Sequence, residues 1–201
     1  MQHQAFYFAQ PAKQSAATKA NTPIAATAPA QTGPVTQDQV NTALALFQSG
    51  QIAQALTQAQ ILARHAPDLL PVLDLQGAAL RKLDKPLQAL PFFERSLEVA
   101  GPSAPAHFNI GATLLDLCRY DGTASHLKQA ITLAPQNQTM IQTLALCFKE
   151  MGRYHDTVEL LTQGLESGQT SGATLNILGL ALYHLNFLEE AKSCFCAVTD
   201  S

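Results

Sequence analysis

Apolar residues recur along most of the chain at the spacing of amphipathic helices. Within residues 104–137, a first apolar face consists of Phe108, Gly111, Ala112, Leu115 and Cys118. A second face follows after a short break and consists of Ala124, Leu127, Ile131 and Leu133. Because both faces fit helical spacing, the pattern predicts a helix of about fourteen residues, a tight turn and a second helix of similar length.

This pattern returns with a period of 34 residues, which is the spacing that separates Pro67, Gly101 and Pro135. One column of small residues contains Ala43, Gly77, Gly111, Ala145 and Gly179. A second small column contains Ala55, Ala89, Thr123, Thr157 and Ala191, and a mostly large column contains Ala59, Phe93, Leu127, Leu161 and Phe195. Turn-prone residues separate the two helices at Gly50, Asp84, Gly152 and Asn186, with Cys118 as the exception. The period predicts an all-α helix-turn-helix solenoid of about five units.

The phase of the columns divides the chain into a tail and a repeat domain. The tail covers residues 1–35, and the repeat domain, residues 36–201, consists of the units 36–69, 70–103, 104–137, 138–171 and an incomplete 172–201. We expect the two helices of a unit to cross closely where Gly111 meets the column of Thr123. Small residues suit such a crossing, because a bulky side chain there would overpack it.

Prolines mark several helix starts. Pro71 and Pro105 stand where a first helix begins, and Pro86 stands where a second begins, positions at which the missing amide proton has no intrahelical partner. Pro91 falls inside a second helix, so we expect it to bend that helix or to shift its start.

A helix-turn-helix unit of this length with these columns resembles the tetratricopeptide repeat (TPR) family. The stretch 106–135 carries the resemblance most fully, with Asn109-Ile110-Gly111, Leu114, Tyr120, Ala130 and Pro135. The first unit departs from the pattern, because Gln39 and Thr42 stand where large residues are expected. The resemblance implies a right-handed superhelix whose first helices line a concave groove, and such grooves typically bind an extended or helical peptide of another protein.

The resemblance also implies which residues line the groove. Carried over position by position, they are Phe47, Asp74, Arg81, Phe108, Asn109, Leu115, Gln142, Lys149, Asn176 and Tyr183. The aromatic and aliphatic members would supply affinity, the amides would pair with the peptide backbone, and Arg81 and Lys149 would select charge. Val40, Asp74, Phe108 and Gln142 stand where the first Lys of the family's carboxylate clamp would be needed, which argues against that mode.

The sequence therefore predicts a non-enzymatic scaffold that binds a peptide segment of a partner protein in this groove. Two alternatives stay open. One is a TPR chaperone of the bacterial type III secretion kind, and the other is the TPR front end of a larger transferase. The last helix carries several apolar residues with nothing to cover its far side, which allows a homodimer through that helix.

The first 35 residues have a different composition from the rest. They contain ten Ala, five Gln, four Thr and four Pro, with two Lys and no acid. So few large apolar side chains cannot offset the entropy of ordering, and the tail is predicted to be disordered. Phe6-Tyr7-Phe8 is either a short docking motif or three aromatic residues without a role. No apolar stretch follows a basic start, so a cytoplasmic location is expected.

Composition and motifs argue against several other functions. The net charge of −3 argues against a nucleic-acid partner, and the lack of a long apolar run argues against membrane insertion. The six histidines are scattered over different repeat positions, and neither a zinc-protease motif nor a phosphate loop occurs. Cys194 and Cys196 are two positions apart and do not share a helix face. The sequence thus predicts no catalytic residue, no metal site and no cofactor.

Overall fold

A computed structural model describes residues 35–166 and 171–199 of the protein. Apart from Val35, the predicted tail of residues 1–35 lies outside these described residues. The described ranges contain ten α-helices and no strand: α1 Gln37–Gln48, α2 Ile52–Ala63, α3 Leu70–Lys82, α4 Pro86–Ala100, α5 Ala104–Asp116, α6 Tyr120–Leu133, α7 Gln138–Glu150, α8 Tyr154–Glu166, α9 Gly172–His184 and α10 Leu188–Thr199.

The helix starts confirm the predicted period. The odd-numbered helices after α1 begin at residues 70, 104, 138 and 172, and the even-numbered helices begin at 52, 86, 120, 154 and 188. Only α1 starts one residue late, because Thr36 is its N-cap and forms a capping box with Gln39. The side chain of Gln39 accepts the Thr36 amide proton at 3.0 Å, which explains why this position carries no large apolar residue.

Two layers follow from the helix contacts. The extensive contacts join helices that are neighbours in sequence, and besides these they join odd-numbered helices to each other, as in α1–α3, α5–α7 and α7–α9. The odd-numbered helices therefore form an inner layer, and the even-numbered helices form an outer layer. Helices α2, α4, α6 and α8 each pack between their own partner and the first helix of the next unit.

The turn inside each unit contains one residue with a left-handed backbone conformation, always at the same repeat position. Gly50, Asp84, Cys118, Gly152 and Asn186 have φ values of 80°, 58°, 56°, 71° and 67°. One residue later, the amide donates back across the turn, as from Arg119 to the Leu114 carbonyl at 2.9 Å. This is the Schellman arrangement, which satisfies carbonyls at the helix end. Cys118 is thus an exception in residue type and not in conformation.

The helix crossing within a unit differs from the predicted one. A Cβ atom placed on Gly111 would lie 2.9 Å from Leu127, and one placed on Gly77 would lie 2.6 Å from the ring of Phe93. The prediction that Gly111 meets the column of Thr123 was therefore wrong. The small column packs against the large column, because a glycine lets a bulky side chain of the second helix lie directly over the backbone of the first.

Pro91 does not shift the start of its helix. Helix α4 begins at Pro86, in phase with the other even-numbered helices, and runs through Pro91 to Ala100. Pro91 is exposed, and it lies in the second turn of the helix. Of the two predicted outcomes, a bent helix or a shifted start, the shifted start does not occur, because Pro86 already supplies a favourable first residue.

One buried polar group has no partner among the described residues. The side chain of Gln76 is only 4% exposed, and its Nε2 has no hydrogen-bond acceptor. The equivalent residues in the next three units are Ile110, Leu144 and Leu178, which are all buried in the core. Gln76 therefore carries an uncompensated cost of desolvation at a position that the fold builds as apolar.

Replacing Gln76 by Leu is expected to stabilise the protein. The substitution removes an unsatisfied donor and adds apolar contact, so Gln76→Leu should raise the free energy of unfolding by about 1–2 kcal/mol. Urea unfolding monitored by circular dichroism measures this change. The exposed Gln129 on α6 provides a control, because Gln129→Leu should change stability by less than about 0.5 kcal/mol. A loss of stability in Gln76→Leu would contradict the expectation.

Replacing the glycine at the crossing of α3 and α4 is expected to destabilise the protein. Gly77→Ala would press a methyl group against the ring of Phe93, which is 1% exposed and packs in a buried cluster with Leu80 and Ala89. We expect a loss of about 1–3 kcal/mol in urea unfolding. The matched control is Gly164→Ala on α8, where no atom lies within 4 Å of the new Cβ. That variant should gain about 0.5–1 kcal/mol, because alanine favours the helix. Equal effects of the two variants would refute the role of the crossing.

Candidate functional site

The ten residues predicted for the groove are spread over all five odd-numbered helices. Phe47 lies on α1, Asp74 and Arg81 on α3, Phe108, Asn109 and Leu115 on α5, Gln142 and Lys149 on α7, and Asn176 and Tyr183 on α9. Side chains of this set bridge neighbouring odd-numbered helices, from α3 to α5 and from α7 to α9. We define the inner face as the surface on which the odd-numbered helices lie side by side.

Three of the predicted apolar residues are partly built into the core. Phe47 packs against the buried cluster of the first unit, which includes Ala43 and Ala59. Phe108 and Leu115 pack against a cluster that contains Leu127 and Phe148. These side chains are half-buried, so they form a floor under the inner face and are not freely projecting anchors.

The charged residues of the inner face are largely paired within the protein. The Nε of Arg81 lies 2.7 Å from a carboxylate oxygen of Asp116, and its Nη2 donates to the carbonyl of Ala112 at 3.3 Å. The Nζ of Lys149 lies 2.8 Å from the carboxylate of Glu150. Such pairing uses the charge that would otherwise select a ligand of opposite sign.

A polar cleft accompanies the Arg81–Asp116 pair. It has a volume of about 440 Å³ and is lined by Ala78, Arg81, Lys82, Asp84, Pro86 and Asp116. Lys82 is exposed and forms no ion pair with a described residue. The two cations that line the cleft, Arg81 and Lys82, are matched in number by the carboxylates of Asp84 and Asp116, so the net charge of its lining is small.

Asp74 is directed toward the outer layer. Its carboxylate accepts a hydrogen bond from the Ser96 hydroxyl of α4 at 2.8 Å. Burial raises the pKa of Asp74 above its usual range, and the hydrogen bond from Ser96 opposes this shift. Asp74 therefore joins α3 to α4, and it contributes little charge to the inner face.

The predicted amides differ in what they have left to offer. The Nε2 of Gln142 donates to the hydroxyls of Ser171 at 2.8 Å and Thr174 at 2.9 Å, which leaves its carbonyl oxygen for other partners. Gln142 thus fastens α7 to the start of α9. Asn109 is half-buried, whereas Asn176 is exposed on α9. Of the three amides, Asn176 is the one best placed to contact a ligand.

The most accessible part of the inner face lies on α9. Asn176, Leu180, Tyr183 and His184 follow one another at helical spacing on one side of this helix, and we call them the α9 patch. Leu180 and Tyr183 are 42% and 59% exposed. The ring of Tyr154 stacks on His184 with centroids 4.4 Å apart, and Tyr183 meets His184 edge-on at 5.9 Å. The predicted set lacked Tyr154, although it occupies the same repeat position as Tyr120.

A second cleft lies on the other side of the solenoid, between α6 and α8. Its volume is about 440 Å³, and Ile131, Leu144, Phe148 and Leu160 form its apolar wall. The Arg153 guanidinium lies 4.6 Å from the centre of the Phe148 ring, and it is also paired with Asp156. The contact between the Arg153 guanidinium and the Phe148 ring therefore helps to hold this ring in the apolar wall.

Metal and membrane features are limited in the described part of the chain. Within residues 35–166 and 171–199, no group of three or more His, Cys, Asp and Glu side chains is placed to hold a metal ion. No described helix is long and apolar enough to cross a membrane. No disulfide joins the four cysteines.

A pair of histidines joins the two helices of the third unit. The Nδ1 atoms of His107 and His126 lie 3.1 Å apart, so the N–H of one ring donates a hydrogen bond to the unprotonated Nδ1 of the other. Burial, followed by the neighbouring His107, lowers the pKa of His126 below its usual range, and Glu94 opposes this shift. The hydrogen bond requires that one of the two Nδ1 atoms carries no proton.

The chain resembles known proteins over part of its sequence and over most of its fold. No family model matches the chain. Over 85 residues, 42% of the chain, it is 34% identical to Tetratricopeptide repeat protein 16 of Mus musculus, but it spans only 11% of the length of that protein.

Solved structures resemble the chain over most of its length. MamA from Desulfovibrio magneticus RS-1 aligns with a TM-score of 0.73 at 20% identity, over 81% of this chain and 94% of that one. PilF of Pseudomonas aeruginosa aligns with a TM-score of 0.70 at 17% identity, over 80% of this chain and 75% of that one. YrrB, described as a TPR protein with an unusual peptide-binding site, aligns with a TM-score of 0.66 at 14% identity, over 82% and 84%. At these identities the likeness concerns the fold.

The histidine pair is expected to make stability depend on pH. An unfolded histidine has a pKa of about 6.5, whereas His126 in the fold takes up its proton at lower pH. The unfolded state therefore binds more protons, and stability should fall as the pH decreases through 6.5. Urea unfolding between about pH 7.5 and 5.5 tests this, and His126→Gln should flatten the dependence.

The exposed His65 supplies the control for this experiment. His65→Gln should keep the pH dependence of the wild type. If His126→Gln and the wild type lose stability equally over this range, the histidine pair does not cause the effect.

Proposed function

Because the chain is a tetratricopeptide repeat solenoid, we propose that it is a non-enzymatic scaffold that binds a peptide segment of a partner protein on its inner face. The α9 patch is the observation that carries this proposal. Leu180 and Tyr183 are large, exposed side chains on the surface where the odd-numbered helices adjoin, and they are adjacent to the stacked rings of Tyr154 and His184. Exposed aromatic and aliphatic residues on a preformed surface are typical of binding hot spots.

The same surface indicates what kind of segment would bind. Arg81 and Lys149 are paired with acids of the protein, so the inner face offers few uncompensated charges. Phe108 and Leu115 supply a half-buried floor, and the exposed Asn176 is available to pair with peptide backbone. We therefore propose that the segment presents apolar side chains toward α9 and carries few charges of its own.

Binding would use a surface that is already formed. The Gln142 amide fixes α7 to α9 through Ser171 and Thr174, so the α9 patch is held in place before any partner arrives. A rigid surface reduces the entropy that is lost on association. Affinity is then expected to depend on a few anchors in the patch.

Substitutions in the α9 patch are expected to abolish capture of the partner. Leu180→Glu combined with Tyr183→Glu places charges where apolar anchors would be desolvated, and each lost anchor should weaken binding by roughly tenfold or more. Both side chains are exposed, so the helix itself should remain intact. Pull-down from a lysate of the source organism, quantified by mass spectrometry, measures the loss.

The control carries the same change in chemistry on the outer layer. Leu87 on α4 and Leu133 on α6 are 64% and 52% exposed, and Leu87→Glu combined with Leu133→Glu should leave capture unchanged. Thermal unfolding monitored by circular dichroism verifies that both double variants are folded. Partners retained equally by the wild type and the α9 variant would refute binding at the inner face.

A further inference from the structure

An apolar cleft lies at the far side of the last helical pair, away from the other units. It has a volume of about 540 Å³ and is lined by Tyr183, Leu188, Ala191, Lys192, Phe195 and Cys196. We call it the end cleft. Leu188 is 52% exposed, and the adjacent Phe187 is 48% exposed. Among the described residues, no helix packs on this side of α10.

The earlier units show what shape fits such a surface. In each of them the corresponding side of the even-numbered helix is covered by the next odd-numbered helix, as α6 is covered by α7. At that junction, Cys147 of α7 donates through its Sγ to the carbonyl of Tyr120, the residue of α6 that corresponds to Leu188. The end cleft is therefore shaped to receive an α-helix that runs antiparallel to α10.

One residue distinguishes the end cleft from these internal junctions. The corresponding positions of the four earlier units carry Leu56, Leu90, Ala124 and Val158, and the end cleft carries Lys192. Lys192 is exposed and forms no ion pair with a described residue, although Glu189 lies one turn before it. A helix that covered Lys192 would desolvate its ammonium group, which is costly unless an acid is placed opposite.

We propose that the end cleft docks an amphipathic α-helix of a partner protein, which inserts apolar side chains beside Leu188 and Phe195 and places an acidic side chain against Lys192. The repeat geometry determines the shape of the occupant, and the lone cation determines its charge. The end cleft shares Tyr183 with the α9 patch, whereas Leu188 and Lys192 on α10 belong to the end cleft alone and Leu180 belongs to the α9 patch alone.

The first helix of a second copy of the chain fits the end cleft less well. In three of the four internal junctions the covering helix inserts Ile110, Leu144 or Leu178 at the central position, whereas α3 has Gln76 and α1 has Thr42 there. A threonine would leave the apolar wall incompletely filled. A partner helix with larger apolar residues is therefore the better occupant.

The test uses a helical probe taken from the chain itself. Its sequence is that of residues 138–150, which cover the corresponding side of α6, held helical by a staple on the face away from the cleft. Cys147→Ala prevents oxidation of the probe. Leu144 is the central residue that faces α6. One version of the probe carries Leu144→Glu and a second carries Leu144→Lys.

Fluorescence anisotropy with the whole protein gives the affinities of both probes. We expect the Leu144→Glu probe to bind at least about tenfold more tightly than the Leu144→Lys probe at low salt. The protein variant Lys192→Glu should reverse this order, and Leu188→Glu should weaken both probes. Leu87→Glu on α4 and Leu180→Glu in the α9 patch should change neither affinity, and the latter variant separates this site from the inner face.

Three results would overturn the proposal. The first is no binding of either probe at millimolar concentration, and the second is an order of affinities that Lys192→Glu does not alter. The third is a concentration-dependent dimer of the probe-free protein in sedimentation equilibrium that Leu188→Glu abolishes, because a second copy would then occupy the cleft.

Discussion

The close crossing of two helices within each unit is the constraint on which the rest of the structure depends. At Gly77, Gly111 and Gly179 the missing side chain lets a large residue of the second helix lie over the backbone of the first, with contact distances that would be 2.6–2.9 Å to a Cβ atom. Because this crossing recurs with the repeat, successive helical pairs stack in the same way. The stacking brings the odd-numbered helices side by side, and the inner face exists only as a consequence of that arrangement.

Much of the polar chemistry on the inner face serves the stacking itself. Arg81 of α3 is paired with Asp116 of α5, and Gln142 of α7 donates both of its amide protons to hydroxyls at the start of α9. These interactions hold neighbouring units together, and they also remove charge and donors from the surface. The accessible part of the inner face is therefore mainly apolar and aromatic, and it is concentrated on α9.

The two outermost helices of the described solenoid have different surfaces. Helix α1 is closed by a capping box between Thr36 and Gln39, and its Gln39 and Thr42 lie where most other units have apolar residues. Helix α10 presents an apolar cleft with a cation, Lys192, at a position that is apolar in every earlier unit. A repeat protein exposes unmatched surface at its ends, since each unit is stabilised by its neighbours. The cation makes the surface at α10 selective for charge.

The sequence by itself determined the period and the order of the helices, because the repeat of small, large and turn residues is a property of the chain in one dimension. Even Cys118 adopts the left-handed turn that its position in the repeat requires. Only the tertiary structure decided which side chains meet. Gly111 packs against Leu127 and not in the column of Thr123, and Arg81 is paired with Asp116 instead of being open to a ligand. Such pairings depend on the crossing angle and on side-chain rotamers between helices that are distant in sequence, and a periodic pattern contains no information on either.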